Sequence, residues 1–322
     1  MKVLFYGTPA FALPTLDALL RHHDVVAAVT QPDRPAHRGQ RLTPPPVKER
    51  AIAASLPVLQ PERVRDPGWP ERLVALGADI AVVVAFGQIL PQAVLDAPRR
   101  GSINIHASIL PRYRGAAPIA WAIMRGERET GISTFQMDPG MDTGDVLLTA
   151  PTPIGAEETA GELSERLSHL GADVIIDTLA RLDALTPVPQ RHEDATMAPR
   201  LKKTDGVLEW SRPAHDLVNV VRGCNPWPGA HTRSPRGSLL TLWRARIVAD
   251  APPAPPGALV RHGDDLVIAT GAHAVLPVSV QLENRREQSW DEYLRGARLG
   301  PGAVFSGHGG PAAGGPPNPL RP

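Results

Sequence analysis

The 322-residue chain is 42% apolar and 21% charged, which excludes disorder over its whole length and a disulfide-stapled mini-protein, and makes two domains the expectation. Its net charge of +1 hides an asymmetry: residues 1–199 carry 19 Lys+Arg against 23 Asp+Glu, and residues 200–322 carry 15 against 10. That is the pattern of a polyanion-binding appendage, although on charge alone a solvated surface with a small charge bias is the preferred account. The lone cysteine, Cys224, cannot form an intrachain disulfide and fits a reducing, cytosolic setting. No segment reaches the ~18 unbroken apolar residues of a membrane span, and nothing demands more than a monomer.

In chain order, Val3–Tyr6 reads as a buried strand, Pro14–Leu20 as a helix and Val25–Thr30 as a second strand. Ala51–Leu56 and Glu71–Leu76 read as helical, and Ile80–Phe86 as a continuous buried strand. Ser102–Ile105 is a strand, Ile119–Arg125 a helix, Gly131–Met137 a strand and Thr159–Leu185 a long closing helix. Continuous Val/Ile runs between helices predict parallel strands covered on both faces, hence an α/β, Rossmann-like doubly wound sheet over residues 1–186. A linker is expected at 187–205. Beyond it, a helix near Ala214–Arg222 precedes short strands at Leu239–Val248, Leu259–Arg261, Leu266–Ala269 and Ala274–Leu282, with Trp290–Leu294 helical after them. That spacing predicts a small β-barrel or sandwich over 206–300. Residues 301–322 hold 12 Gly or Pro and read as a disordered tail.

Ligands of such sheets bind beyond the carboxyl ends of the strands. The first strand runs into G-T-P-A-F-A, without G-x-G-x-x-G, and no P-loop pattern occurs anywhere; dinucleotide and P-loop readings lose their support. The informative run is Gly101–Pro118, G-S-I-N-I-H-A-S-I-L-P-R-Y-R-G-A-A-P. Asn104 and His106 lie two apart on a strand and leave the same face. A carboxamide can hydrogen-bond a developing oxyanion, and an imidazole beside it can donate to that oxygen or move a proton. Downstream, Asp138, Asp142 and Asp145 crowd a loop with two glycines. One of them could orient His106, or several could join it around a metal, or all could shape a turn; spacing alone does not choose. A Ser-His-Asp arrangement through Ser108 is disfavoured by the absence of a G-x-S-x-G elbow. The segment Gln31–Lys48 is long for a connection and sets Arg34, Arg38, Arg41 and Lys48 against Asp33 alone, which suits phosphate contact and insertion into a nucleic-acid groove.

Taken together, Asn104-Ile105-His106, Ser108–Pro118 and Met137–Asp145 resemble the formyltetrahydrofolate-dependent formyltransferases. The start F-Y-G-T-P, the loop T-Q-P-D-R-P with R-G, V-V-V-A-F-G-Q-I-L-P, L-K-K-T-D-G-V-L-E-W, R-G-C-N-P-W-P-G-A and E-N-R-R-E resemble the tRNA-acting branch, over roughly residues 1–300. The resemblance implies an oligonucleotide-fold-like barrel after the first domain. It also implies formyl transfer from 10-formyltetrahydrofolate, a substrate, to the α-amine of methionine on initiator methionyl-tRNA, without a metal. Carried over by motif, the catalytic group is Asn104, His106 and Asp142. The folate site is Phe86, Gly87, Gln88, Ile89 and Leu90 with Ser108, Ile109, Leu110 and Pro111. The basic loop meets the acceptor stem through Arg34, Arg38, Arg41 and Lys48, with Arg38 as the main contact. Formyltransferases acting on a sugar nucleotide or glycinamide ribonucleotide, a formyltetrahydrofolate hydrolase, and an inert RNA-binding relative are the alternatives.

Overall fold

A computed structural model describes residues 1–36 and 41–307, without the side chains of Ala36 and Arg41. Two compact units divide the chain. The first comprises Met1–Ile119, Glu129–Pro153 and Glu162–Pro199; the second takes Ala120–Arg128, Ile154–Gly161 and the chain from Arg200. The expected linker is therefore divided between the two: residues 187–199 pack with the first unit, and Val188 and Met197 bridge to Val146 and Arg114 there.

The first unit is built on β1 (Lys2–Gly7), β2 (Asp24–Val29), a short β3 (Arg34–Ala36) and β4 (Arg41–Thr43), β5 (Val58–Leu59), β6 (Ile80–Val84), β7 (Ser102–His106), β8 (Glu129–Gln136) and β9 (Val146–Pro153). Helices α1 (Leu13–His22), α2 (Pro46–Ala53), α3 (Trp69–Val74), α4 (Gln92–Leu95) and most of α6 (Ala160–Ala180) alternate with them, whereas α5 (Pro118–Met124), between β7 and β8, belongs to the second unit from Ala120 onward. The main sheet has the order β5-β2-β1-β6-β7-β8-β9. The strands from β5 to β7 are parallel, and β1 and β6 are buried runs of Val, Ile, Leu and aromatic residues, as expected of strands covered on both faces. The all-parallel expectation fails at the other edge: β8 runs antiparallel to both β7 and β9. The short return from β8 to β9 accounts for the sense of that pair, because a parallel neighbour needs a crossover of a dozen or more residues.

Two further boundaries differ from expectation. α2 starts at Pro46, five residues before the predicted helix, since a proline in the first turn has no helical N–H to forfeit and a pre-set φ. The long basic segment is not one open loop: β3 and β4 pair antiparallel within it.

In the second unit, α7 (Ala214–Gly223) precedes β10 (Ala230–Arg233), β11 (Leu239–Val248), β12 (Leu259–His262), β13 (Asp265–Ala269), β14 (Ala274–Leu282) and β15 (Glu287–Ser289), and α8 (Trp290–Ala297) follows. The sheet is antiparallel, in the order β10-β11-β14-β13-β12 with β15 on β14. Its core gathers Leu217, Val221, Leu240, Leu242, Leu259, Ile268, Val280 and Trp290. The expectation of disorder from residue 301 is corrected for 301–307. Val304 bridges to Ala258 beside β12 and Ser306 bridges to Arg233 on β10, joining the two outer strands, while Phe305 is 1% exposed in the core. The rest of the predicted tail, 308–322, lies outside the described residues.

Candidate active site

β7 carries the polar pair. Ile103 and Ile105 are buried, and the alternation of a strand sends Asn104 and His106 to the opposite face. Among the described residues the half-buried Asn104 carboxamide makes no hydrogen bond, so its N–H groups are open to a ligand. His106 is 6% exposed. Its Nε2 stands 2.8 Å from the Tyr113 carbonyl. A carbonyl can only accept, so Nε2 carries the hydrogen. Nδ1 faces Asp142 Oδ2 at 3.7 Å. The ring therefore meets a substrate through its Nδ1 edge, and a proton added there makes an imidazolium with Asp142 as counter-charge.

The aspartate reaches His106 by an indirect route. β8 ends at the amino-terminal end of β7, where Met137 N–H bonds the Ser102 carbonyl. The loop that follows doubles back toward His106 and carries Asp142 at φ +55. Its Oδ2 accepts the Gly115 N–H at 2.7 Å. A side chain at Gly144 would stand 1.8 Å from the Gln136 carbonyl oxygen, so only glycine fits the closure of this loop. The other two carboxylates separate from the pair. Asp138 accepts from Gly140 N–H and Thr143 Oγ1 within its own loop, and Asp145 is exposed. Among the described residues no group of three or more His, Cys, Asp or Glu is placed to hold a metal.

Tyr113, Arg114 and Gly115 brace both acidic and basic members, and sequence reasoning missed them. The Tyr113 carbonyl holds His106 and the Gly115 amide holds Asp142. Gln190 donates from Nε2 to the Asp142 and Gly144 carbonyls at 3.0 and 2.7 Å, and its Oε1 accepts from Arg114 Nε and Nη2 at 3.1 and 2.7 Å. Arg114 was legible only as one more arginine of a motif; Gln190, inside the expected linker, carried no signal.

The residues expected at the folate site fall into two sets. Phe86 and Leu90 belong to the core, Phe86 edge-on to Tyr6 at 5.3 Å between ring centroids. Ile89 is 77% exposed and Gly87 is exposed at φ +86, so these two present the surface of that turn. Gln88 ties the turn to Pro61 and Val64. The Ser108 hydroxyl donates to the Arg112 carbonyl, not to His106, and the Leu110 amide is held by Ser133 Oγ. Ile109 and Pro111 are partly exposed.

On the basic segment, Arg34 is exposed and meets Glu62 at 3.3 Å. Lys48 is committed to Asp33, with Nζ 2.7 and 2.8 Å from its two oxygens, and Gln60 adds a third hydrogen bond to that carboxylate. Arg38 and the side chain of Arg41 lie outside the described residues.

A carboxamide and an imidazole near the end of a Rossmann-like strand, with a carboxylate brought against the ring, form an arrangement suited to acyl-group transfer on an α/β scaffold. The chain belongs to the formyl transferase family: residues 1–179 match that family, and residues 200–298 match its C-terminal domain. Over nearly the whole length it is similar to proteins named methionyl-tRNA formyltransferase. It is 50% identical to that of Solibacter usitatus over 302 residues, 93% of this chain and 96% of the relative. With that of Geobacter metallireducens the identity is 47% over 96% of this chain and 99% of the relative. The Sorangium cellulosum protein is 49% identical over 95% and 99%. Among solved structures the fold is shared with WlaRD, a sugar 3N-formyl transferase (TM-score 0.64, 15% identity, 89% of this chain and 99% of that one). It is shared too with a methionyl-tRNA formyltransferase from Clostridium thermocellum (TM-score 0.57, 16% identity, 88% and 98%). Among the described residues no helix is long and apolar enough to cross a membrane.

Proposed function

We propose that this enzyme transfers the formyl group of 10-formyltetrahydrofolate to the α-amine of methionine on initiator methionyl-tRNA, for translation initiation in the cytoplasm, as a monomer. The observation that carries the reading is the joint one: near-full-length identity of 47–50% to proteins of that name, with Asn104, His106 and Asp142 gathered at one strand end.

The amine nitrogen attacks the formyl carbon, the new C–N bond forms, and the carbonyl electrons move onto oxygen. Asn104 donates to that oxyanion, and His106, protonated at Nδ1, supplies the second donor and a positive charge. Asp142 keeps the imidazolium oriented and, directly or through water, takes up the proton the amine must lose. Collapse re-forms the carbonyl and breaks the bond to the folate N10, which leaves with a proton. Gly87 and Ile89 with Ile109 and Pro111 contribute the folate surface, Phe86, Gln88, Leu90 and the buried Ser108 and Leu110 support it from beneath, and Arg34, Arg38 and Arg41 meet the phosphates of the acceptor stem, with Lys48 at the base of the segment.

The test is a formyl-transfer assay with initiator methionyl-tRNA, elongator methionyl-tRNA, a sugar-nucleotide amine and water as acceptors. Product on the initiator tRNA alone supports the reading, whereas folate cleavage without tRNA product assigns the site to a different acceptor. Asn104→Ala and His106→Ala should each lower kcat by about 10²–10³. Near-normal turnover of His106→Ala would overturn the mechanism.

A further inference from the structure

The charge of Arg114 is placed where proteins seldom put one. Its side chain is 6% exposed, and among the described residues no carboxylate lies within ion-pair distance of the guanidinium. Its partners carry no carboxylate: Oε1 of Gln190 and, at 3.2 Å, Nδ1 of His192. A buried cation without a counter-charge is tolerated only where hydrogen bonds offset its lost hydration, so the guanidinium depends on its two bonds to Gln190. Gln190 is itself saturated. Its oxygen accepts twice from Arg114, and its nitrogen donates both hydrogens, to the carbonyls of Asp142 and Gly144.

These bonds close a ring through the aspartate. From the Asp142 carboxylate the path runs to the Gly115 amide, along one peptide unit to Arg114, through Gln190, and back to the Asp142 carbonyl. Asp142 is gripped at side chain and main chain at once, at a left-handed backbone position that a non-glycine residue keeps only when its surroundings enforce it. We infer that Gln190, held in register by Arg114, is a positioning residue: it fixes the Asp142 loop so that the carboxylate stands against Nδ1 of His106. The inference rests on the acyl-transfer reading of Asn104, His106 and Asp142, and is indifferent to which amine accepts the formyl group.

The experiment uses Gln190→Glu, which keeps the shape and pairs Arg114 with a carboxylate but removes both donations to the loop. A displacement of about 1 Å at a reacting group costs on the order of 10²-fold in rate. Gln190→Glu should therefore lower kcat by about 10- to 100-fold, with KM for folate and acceptor within about twofold. Because the effect passes through Asp142, Asp142→Asn with Gln190→Glu should be no slower than Asp142→Asn alone, as groups acting as a unit are non-additive. The His106 ring ¹⁵N resonances should move in Gln190→Glu without any substrate present. Wild-type kcat in Gln190→Glu, multiplicative losses in the double variant, or unmoved His106 resonances would each overturn the inference. Wild-type assays with the four acceptors test the functional reading separately, and the resonances report on Gln190 whichever acceptor proves correct.

Discussion

Single groups in this protein are set by what their neighbours can donate or accept. Tyr113 offers His106 a carbonyl and so dictates which ring nitrogen is left for chemistry. Cys224 illustrates the opposite case, a reactive group made inert. It is fully buried at the end of α7, and burial, with the charge of Asp205 near it, pushes the thiol up to about 12. Such a thiol is protonated in the folded state where the unfolded one, near 8.5, has begun to ionise. Its contribution to stability is therefore complete below about pH 8.5 and is lost as the pH rises toward 12. Iodoacetamide at pH 8.5 should leave the native protein unmodified and label it once urea has unfolded it. The stability difference between wild type and Cys224→Ala should shrink between pH 8 and pH 10; labelling of the native protein at the denatured rate would contradict the burial argument.

At the scale of elements, the basic segment separates into groups with different jobs. Asp33 sits at its base, where hydrogen bonds from Gln60 and Lys48 hold the carboxyl below the usual carboxylate range. That contribution is present above the unfolded pKa and fades as pH falls through the lower folded value. Lys48 is thereby spent on bracing the approach to α2, whereas Arg34 has only an exposed and weak ion pair with Glu62 to give up. Neutralising Arg34 should reduce the slope of log affinity for tRNA against log salt by about one. Neutralising Lys48 should weaken binding with the slope unchanged. Equal loss of slope in both variants would return Lys48 to the phosphate contacts. Much of this segment was readable beforehand as charge and length, and the β3–β4 pairing was not, since three-residue strands have too few positions for an alternation to show.

Across the whole molecule, the second unit depends on residues that composition had marked as tail. Phe305 lies against Trp290 in the core, and the residues on either side of it connect β10 to the approach of β12. A chain ended at Gly300 loses that aromatic ring and both bridges. Its C-terminal unit should unfold about 3–5 kcal/mol more easily than that of a chain ended at Gly307, the usual cost of emptying a buried phenylalanine site. Equal urea midpoints for the two chains would show that 301–307 add nothing.

What the sequence determined by itself is everything with a short period. The continuous apolar runs placed β1, β2, β6 and β7, the two-residue alternation put Asn104 and His106 on one face, and the motifs around them named a family. Spacing left three loop aspartates open, and the family motif singled out Asp142. Tertiary structure supplied its route, since β8 runs opposite to β7 and its loop must fold back to bring Asp142 to His106. It alone brought Gln190 across 48 residues to the Asp142 carbonyl and across 76 to Arg114. The reason is physical: strand and helix periods are encoded among neighbours along the chain. The partner of a buried carbonyl or guanidinium is fixed only when distant segments, packed together, leave it a single group with which to bond.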